Sequence, residues 1–138
     1  MRRVSLLGTA AAASALVVVL LSCAASSSPF EGAWSSIDPV DGSAQHLSIR
    51  GGSNVSMDYV DEFGTSCVRL GAPTTVFTGR LTGDVAGNDL HAVFEQGGCG
   101  SVEEINASAR FRWSFRYDAA TDTLFGAIED GPATWHRD

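Results

Sequence analysis

The chain has 138 residues and 44 % hydrophobic residues, a length that suits one domain around one core and excludes two. Its formal net charge is −7, and all sixteen acidic residues lie beyond residue 30. Such an acidic surface repels nucleic acid and anionic lipid headgroups, so we expect no nucleic-acid partner.

The first 22 residues have the layout of an export signal. A pair of arginines at positions 2 and 3 precedes an apolar, alanine-rich run that is short for a membrane span. The stretch Leu20-Leu21-Ser22-Cys23 then resembles the lipobox of bacterial lipoproteins. This resemblance implies that residues 1–22 are a lipoprotein signal peptide and that Cys23 is lipidated. The alternative is an ordinary secretory peptide cut near Ala25.

On the lipobox interpretation the protein is exported and lipid-anchored to the bacterial cell membrane or envelope, outside the cytoplasm. Residues 23–29 are then a flexible tether of small residues, and residues 30–138 form the folded domain. Three cysteines are an awkward number for an exported protein. If Cys23 carries lipid, Cys67 and Cys99 remain as one pair in an oxidising compartment, and we predict a disulfide between them.

From residue 30 onward, short alternating stretches are separated by Gly, Asp, Asn and Pro, and no window shows sustained helical periodicity. The predicted strands cover residues 30–36, 44–50, 55–59, 66–70, 75–81, 89–96, 107–117, 123–129 and 133–137. The clearest is 107–117, where apolar and aromatic residues alternate with Ser and Arg. Residues 97–100 are predicted to form a loop.

Eight or nine short strands at nearly regular spacing favour an all-β fold. We predict an antiparallel meander closed into a small barrel, which would leave no open sheet edges. A β-sandwich is the alternative.

A family resemblance adds to this prediction. Gly32-Ala33-Trp34 on the first strand, together with Arg137 on the last, resembles the pattern of the calycin superfamily of lipocalin-like small barrels. The resemblance implies that Trp34 closes one end of the barrel and that Arg137 packs across its indole. A guanidinium over a ring face contributes roughly 0.5 to 2 kcal/mol. Gly32, Trp34 and Arg137 would thus have a structural role in barrel closure.

Large side chains occupy most of the predicted inward positions, so we expect a mostly filled interior. The small inward residues Ala107 and Ala109 cluster at one end of the longest strand. Together with Trp113 they form the candidate mouth for a small apolar ligand.

No motif in the sequence indicates catalysis or a metal. His46, His91 and His136 lie on separate predicted strands without the close spacing of zinc ligands, and we expect them on the outer surface. The acidic pairs lack the spacing of a calcium loop, and no Gly-x-Ser-x-Gly is present. We therefore predict no enzyme, no metal and no cofactor.

The predicted function is a non-catalytic, lipid-anchored cell-envelope binding module. Its partners would be the membrane, through the lipid, and either a small apolar ligand or a protein. The alternative is an exported inhibitor or interaction protein that acts on a protein partner such as a protease or lysozyme. An acidic surface would suit a basic partner of that kind.

Overall fold

The computed structural model describes residues 27–100, 102–103, 112–128 and 131–138 of the chain. Its elements in chain order are β1 (Gly32–Ile37), β2 (Ala44–Gly51), β3 (Asn54–Asp61), α1 (Thr65–Arg69), β4 (Phe77–Ala86), β5 (Asp89–Cys99), β6 (Val102–Glu103), β7 (Arg112–Asp118), β8 (Thr123–Ile128) and β9 (Gly131–Arg137).

Eight of these strands close into an antiparallel barrel. The order β1, β2, β3, β4, β5, β7, β8, β9 follows the chain, and β9 pairs back with β1. The two-residue β6 pairs only with the last two residues of β5. The predicted all-β meander closed into a barrel is confirmed, and the sandwich alternative is wrong.

The core lies inside this barrel because each strand turns every second side chain inward. Every barrel strand contributes at least one fully or nearly fully buried side chain. The buried cluster comprises Phe30, Trp34, Leu47, Ile49, Val55, Met57, Tyr59, Leu81, Leu90, Ala92, Phe94, Trp113, Phe115, Leu124, Ala133 and Trp135. Within the described residues, large side chains therefore fill the interior, as the alternation predicts.

The prediction of a loop at residues 97–100 is wrong for its first three positions, which belong to β5. Paired glycines usually mark a turn, but here Gly97 stands opposite Gly79 in the β4–β5 ladder. A Cβ at Gly97 would lie 2.7 Å from Cζ of Phe77 and 2.8 Å from Cε1 of Phe94. The aromatic rings thus take the space that side chains on the strand would fill.

The prediction of a strand at residues 66–70 is also wrong, because the helix α1 covers most of this stretch. The neighbouring strands β3 and β4 already pair with each other over eight residues, which leaves no partner for a strand between them. The connection instead winds into one short helix. It buries Cys67 and leaves Val68 exposed.

The disulfide between Cys67 and Cys99 joins this helix to the end of β5. Both cysteines are completely buried, and 32 positions separate them along the chain. The bridge therefore restrains the long β3–β4 connection, which holds no other strand or helix than α1.

Replacing both cysteines, Cys67→Ser with Cys99→Ser, should lower the free energy of unfolding. In the chain-entropy model a loop of 32 residues corresponds to roughly 3.5 to 4 kcal/mol. Urea unfolding of the two proteins measures the difference, and mass spectrometry of the non-reduced wild type provides the control. Two free thiols in the wild type, or equal unfolding midpoints, would contradict the prediction.

Candidate functional site

The barrel has two different ends. The near end holds the entry of the chain at Phe30, its exit at Arg137 and the short turns at residues 52–53, 87–88 and 119–122. Among the described residues, the far end includes the β1–β2 loop, residues 38–43, and the β3–β4 connection, residues 62–76, which contains α1.

The near end is closed by Trp34 and Arg137. The guanidinium carbon of Arg137 lies 4.1 Å from the centroid of the Trp34 ring, and Trp34 is completely buried. Arg137 also donates hydrogen bonds to the carbonyl oxygens of Glu31 at 2.7 Å and Pro29 at 3.0 Å. At Gly32, where φ is +139°, a Cβ would lie 2.6 Å from Nη1 of Arg137, so only glycine fits there.

Sequence analysis missed one member of this closure, Asp122. Its Oδ2 accepts a hydrogen bond from Nε of Arg137 at 2.9 Å, and its Oδ1 accepts one from the Tyr117 hydroxyl at 3.0 Å. The bond from Arg137 holds the pKa of Asp122 below its ordinary value. Asp122 lies in the turn before β8, and nothing in the turn sequence predicts its contact with the last strand.

The far half of the interior contains a buried polar cluster made of Asp38, Gln45, Tyr59 and Asp61. The Asp38 carboxylate accepts hydrogen bonds from Gln45 Nε2 at 2.8 Å and from the Val40 backbone N–H at 2.6 Å. Gln45 stands directly opposite Asp61 in the β2–β3 ladder. The Tyr59 hydroxyl donates to Asp61 Oδ2 at 3.3 Å. The cluster therefore links two strands and the β1–β2 loop.

Asp61 also ties together the two described segments of the far end. Its Oδ1 accepts hydrogen bonds from the Ser43 hydroxyl and from the Phe63 backbone N–H, both at 3.0 Å. The backbone N–H of Glu62 donates to the Ala44 carbonyl at 3.0 Å. Sequence alternation could have placed Gln45 and Asp61 inward, because they continue the inward rows of β2 and β3. It could not have paired Gln45 with Asp38.

Three buried polar atoms in the interior have no hydrogen-bond partner in the described structure. They are Gln45 Oε1, Trp113 Nε1 and Trp135 Nε1. Tyr59 packs edge-on against Trp113, with ring centroids 4.9 Å apart, and lies 6.3 Å from Trp135. Both tryptophans therefore lie next to the ring of Tyr59, the aromatic member of the polar cluster.

Exposed apolar side chains surround the far end. We call them the apolar rim, and they are Ile37, Val40, Phe63, Val68 and Leu70. Val40 is 71 % exposed and Ile37 is 63 % exposed. Large apolar side chains grouped in this way are typical of interaction sites.

The predicted ligand mouth is only partly within the described structure. Ala107 and Ala109 lie outside the described residues, so their position at the mouth stays a prediction. Trp113 is buried in the barrel wall of β7 and packs against Phe94 as well as Tyr59.

The histidines and the outer wall of the barrel provide weaker candidates for a functional site. His46, His91 and His136 are all exposed, as predicted. A groove across β2 to β5 is lined in part by Arg50 and Glu95, which already have partners, since Arg50 pairs with Asp58 and Glu95 accepts a hydrogen bond from Thr82 at 2.7 Å. Within the described ranges, no three His, Cys, Asp or Glu side chains come together to hold a metal ion.

No helix in the described part of the chain is long and apolar enough to cross a membrane.

The fold and its near-end closure define a closed, eight-stranded antiparallel barrel, an architecture that is compatible with a lipocalin-like fold. No protein-family model matches the chain, and neither curated proteins nor solved structures give a significant match. The likeness to lipocalin-like barrels is therefore one of architecture.

The near-end closure predicts a specific loss of stability. Arg137→Ala removes the ring contact and the hydrogen bonds to two backbone carbonyls, so we expect the free energy of unfolding to fall by roughly 1 to 3 kcal/mol. Arg116→Ala is the matched control, because Arg116 is also paired with an aspartate, at 2.9 Å, but is more exposed. Urea unfolding of both variants checks this. An equal effect of the two substitutions would contradict the closure role.

Proposed function

We propose that this protein is a non-catalytic binding module of the bacterial cell envelope, anchored by a lipid on Cys23, and that the far end is its binding surface. The distribution of exposed apolar side chains carries the proposal. Of the six large apolar side chains exposed in the described structure, five form the apolar rim and only Phe125 lies on the barrel wall. A random distribution over the surface would not concentrate them at one end.

The entry point of the chain supports the same orientation. Phe30 lies at the near end, seven positions after Cys23. A fully extended tether of that length reaches about 24 Å, so a lipid on Cys23 would keep the near end close to the membrane. The far end would then face away from the membrane, where a partner can approach it.

The absence of a nucleophile or metal motif from the sequence supports binding rather than catalysis. The groups gathered at the far end are apolar side chains above a hydrogen-bonding cluster. Such a combination recognises a ligand by shape and by a few polar contacts.

A second candidate is an exported inhibitor or interaction protein that acts on a protease or lysozyme. The apolar rim favours it, because Asp41 and Glu62 are exposed beside the rim residues Val40 and Phe63. A basic protein with an apolar patch would complement this surface.

Cys23→Ala should release the protein from membranes. If Cys23 carries the lipid, the wild type sediments with the membrane fraction of cells lysed without detergent, whereas the variant stays in the soluble fraction. The Cys67→Ser, Cys99→Ser protein is the control, because it retains Cys23 and should still sediment. A Cys23→Ala protein that remains in the membrane fraction would rule out the lipid anchor.

A photo-reactive amino acid at Val40 should capture the partner in intact cells, because Val40 is 71 % exposed at the far end. The matched control is the same amino acid at Phe125, which is 57 % exposed on the barrel wall. We expect a discrete adduct from position 40 and none from position 125. An adduct whose added mass is that of a second protein would favour the inhibitor or interaction protein. Equal adducts from both positions would contradict the far end as the binding surface.

A further inference from the structure

We propose that the outer wall of the barrel carries a site for a divalent transition-metal ion of the Cu²⁺ or Zn²⁺ class, with His46, His136 and Glu62 as its ligands. The site goes beyond the proposed function, because it lies on the barrel wall and does not depend on what the far end binds. The observation behind it is the position of two histidines on either side of β1.

Two of the three histidines flank the same serine. Ser35 of β1 stands opposite His46 of β2 in one ladder and opposite His136 of β9 in the other. Direct cross-strand partners have their side chains on the same face of a sheet, and both histidines are exposed, so this row lies on the outer wall. Neighbouring strands are about 4.8 Å apart, which places the two histidine Cα atoms about 10 Å from each other.

That separation suits one metal ion bound between two imidazoles. A metal–nitrogen bond measures about 2 Å, so a histidine reaches about 6 Å from its Cα to an ion held at Nε2, and two histidines together span about 12 Å. A curved wall spreads outward side chains apart, but His46, Ser35 and His136 line one shallow cavity of about 510 Å³. Because Ser35 has a small side chain, it leaves room for an ion between the two histidines.

Glu62 supplies a third donor atom beside His46. Its Oε1 lies 3.7 Å from Nε2 of His46, and the two side chains are 60 % and 47 % exposed. Two atoms that bind one ion through bonds of about 2 Å lie roughly 2.8 to 4 Å apart, and this pair falls within that range. The carboxylate also offsets the positive charge of the ion.

His136 completes the set of ligands when its side chain turns toward Ser35. It is exposed and makes no hydrogen bond or ion pair with any described residue. Exposed side chains change rotamer within picoseconds to nanoseconds, so the turn is fast. Before this turn the three side chains do not surround one point, which agrees with the absence of a three-residue metal cluster from the described part of the chain.

The donor atoms determine the class of metal. Two imidazole nitrogens and one carboxylate oxygen suit Cu²⁺, Ni²⁺ and Zn²⁺, whereas Ca²⁺ and Mg²⁺ prefer oxygen ligands alone. Among first-row divalent metals, Cu²⁺ binds a given site of this kind most tightly. Cu²⁺ is therefore the probe for the experiment.

Titration with Cu²⁺ tests the proposal on the full chain that carries Cys23→Ala, because the thiol of Cys23 would itself bind copper. We expect one Cu²⁺ per chain, and electron paramagnetic resonance should show two imidazole nitrogens bound to the ion. Zn²⁺ should compete for the same site. The absence of saturable binding, or a spectrum with fewer than two imidazoles, would overturn the proposal.

His46→Asn and His136→Asn should each weaken Cu²⁺ binding by at least about tenfold, since the remaining ligands lose one intramolecular bond to the ion. His91→Asn is the matched control, because His91 is exposed on β5 with Ser114, and not a strand that carries a second histidine, beside it. All three positions are exposed, so the substitutions leave the buried core intact. Equal affinities of the three variants would also overturn the proposal.

Glu62→Gln keeps the shape of the side chain and removes its charge, and it should weaken Cu²⁺ binding by about tenfold. Glu95→Gln, at an exposed position of β5, is the matched control and should leave binding unchanged. An unchanged affinity in Glu62→Gln would overturn the proposed ligand set. None of these outcomes changes the adducts expected at Val40, so the metal site and the proposed function fail separately.

Discussion

The closed barrel depends on the seam between β1 and β9. Neighbouring barrel strands elsewhere pair over five to nine residues, whereas β1 and β9 pair at only Trp34 with Arg137 and Ser35 with His136. Side chains strengthen this short ladder. Arg137 bonds the carbonyls of Pro29 and Glu31, and the Ser36 hydroxyl donates to the Thr134 carbonyl at 2.8 Å. A single guanidinium therefore joins the first strand, the last strand and the chain ahead of the barrel.

Much of this fold was accessible from the sequence because a closed barrel gives every strand one buried and one solvated face. Period-two alternation then holds on each strand, and it correctly separates Trp113 and Phe115 from Arg112 and Arg116. The predictions for residues 97–99 and 66–70 were wrong because the structure of these residues is determined by contacts with residues distant in the sequence. Gly97 is a strand residue because the rings of Phe77 and Phe94 occupy its side of the sheet, and residues 65–69 form a helix because β3 and β4 pair directly.

The candidate site was less accessible for the same reason. Alternation alone places Gln45 and Asp61 inward. In the sequence, however, a polar residue at an inward position is only a break in the hydrophobic pattern, and its role becomes clear when its hydrogen-bond partners are known. The bond between Gln45 and Asp38 depends on how the β1–β2 loop folds back, where the Asp38 N–H donates to the Ser43 carbonyl at 2.8 Å. The disulfide, by contrast, could be predicted from the number of cysteines, because two remain when Cys23 is assigned to the lipid. This prediction needs no knowledge of the fold.

The two halves of the barrel interior follow different physical rules. In the near half, Trp34 has its N–H satisfied at Phe30 and its ring covered by Arg137, so the closure leaves its polar atoms paired. Deeper in the interior, an amide oxygen and two indole N–H groups are buried without partners in the described structure. A core selected only for stability would carry Leu or Phe at these positions, since an unpaired buried polar group destabilises the fold.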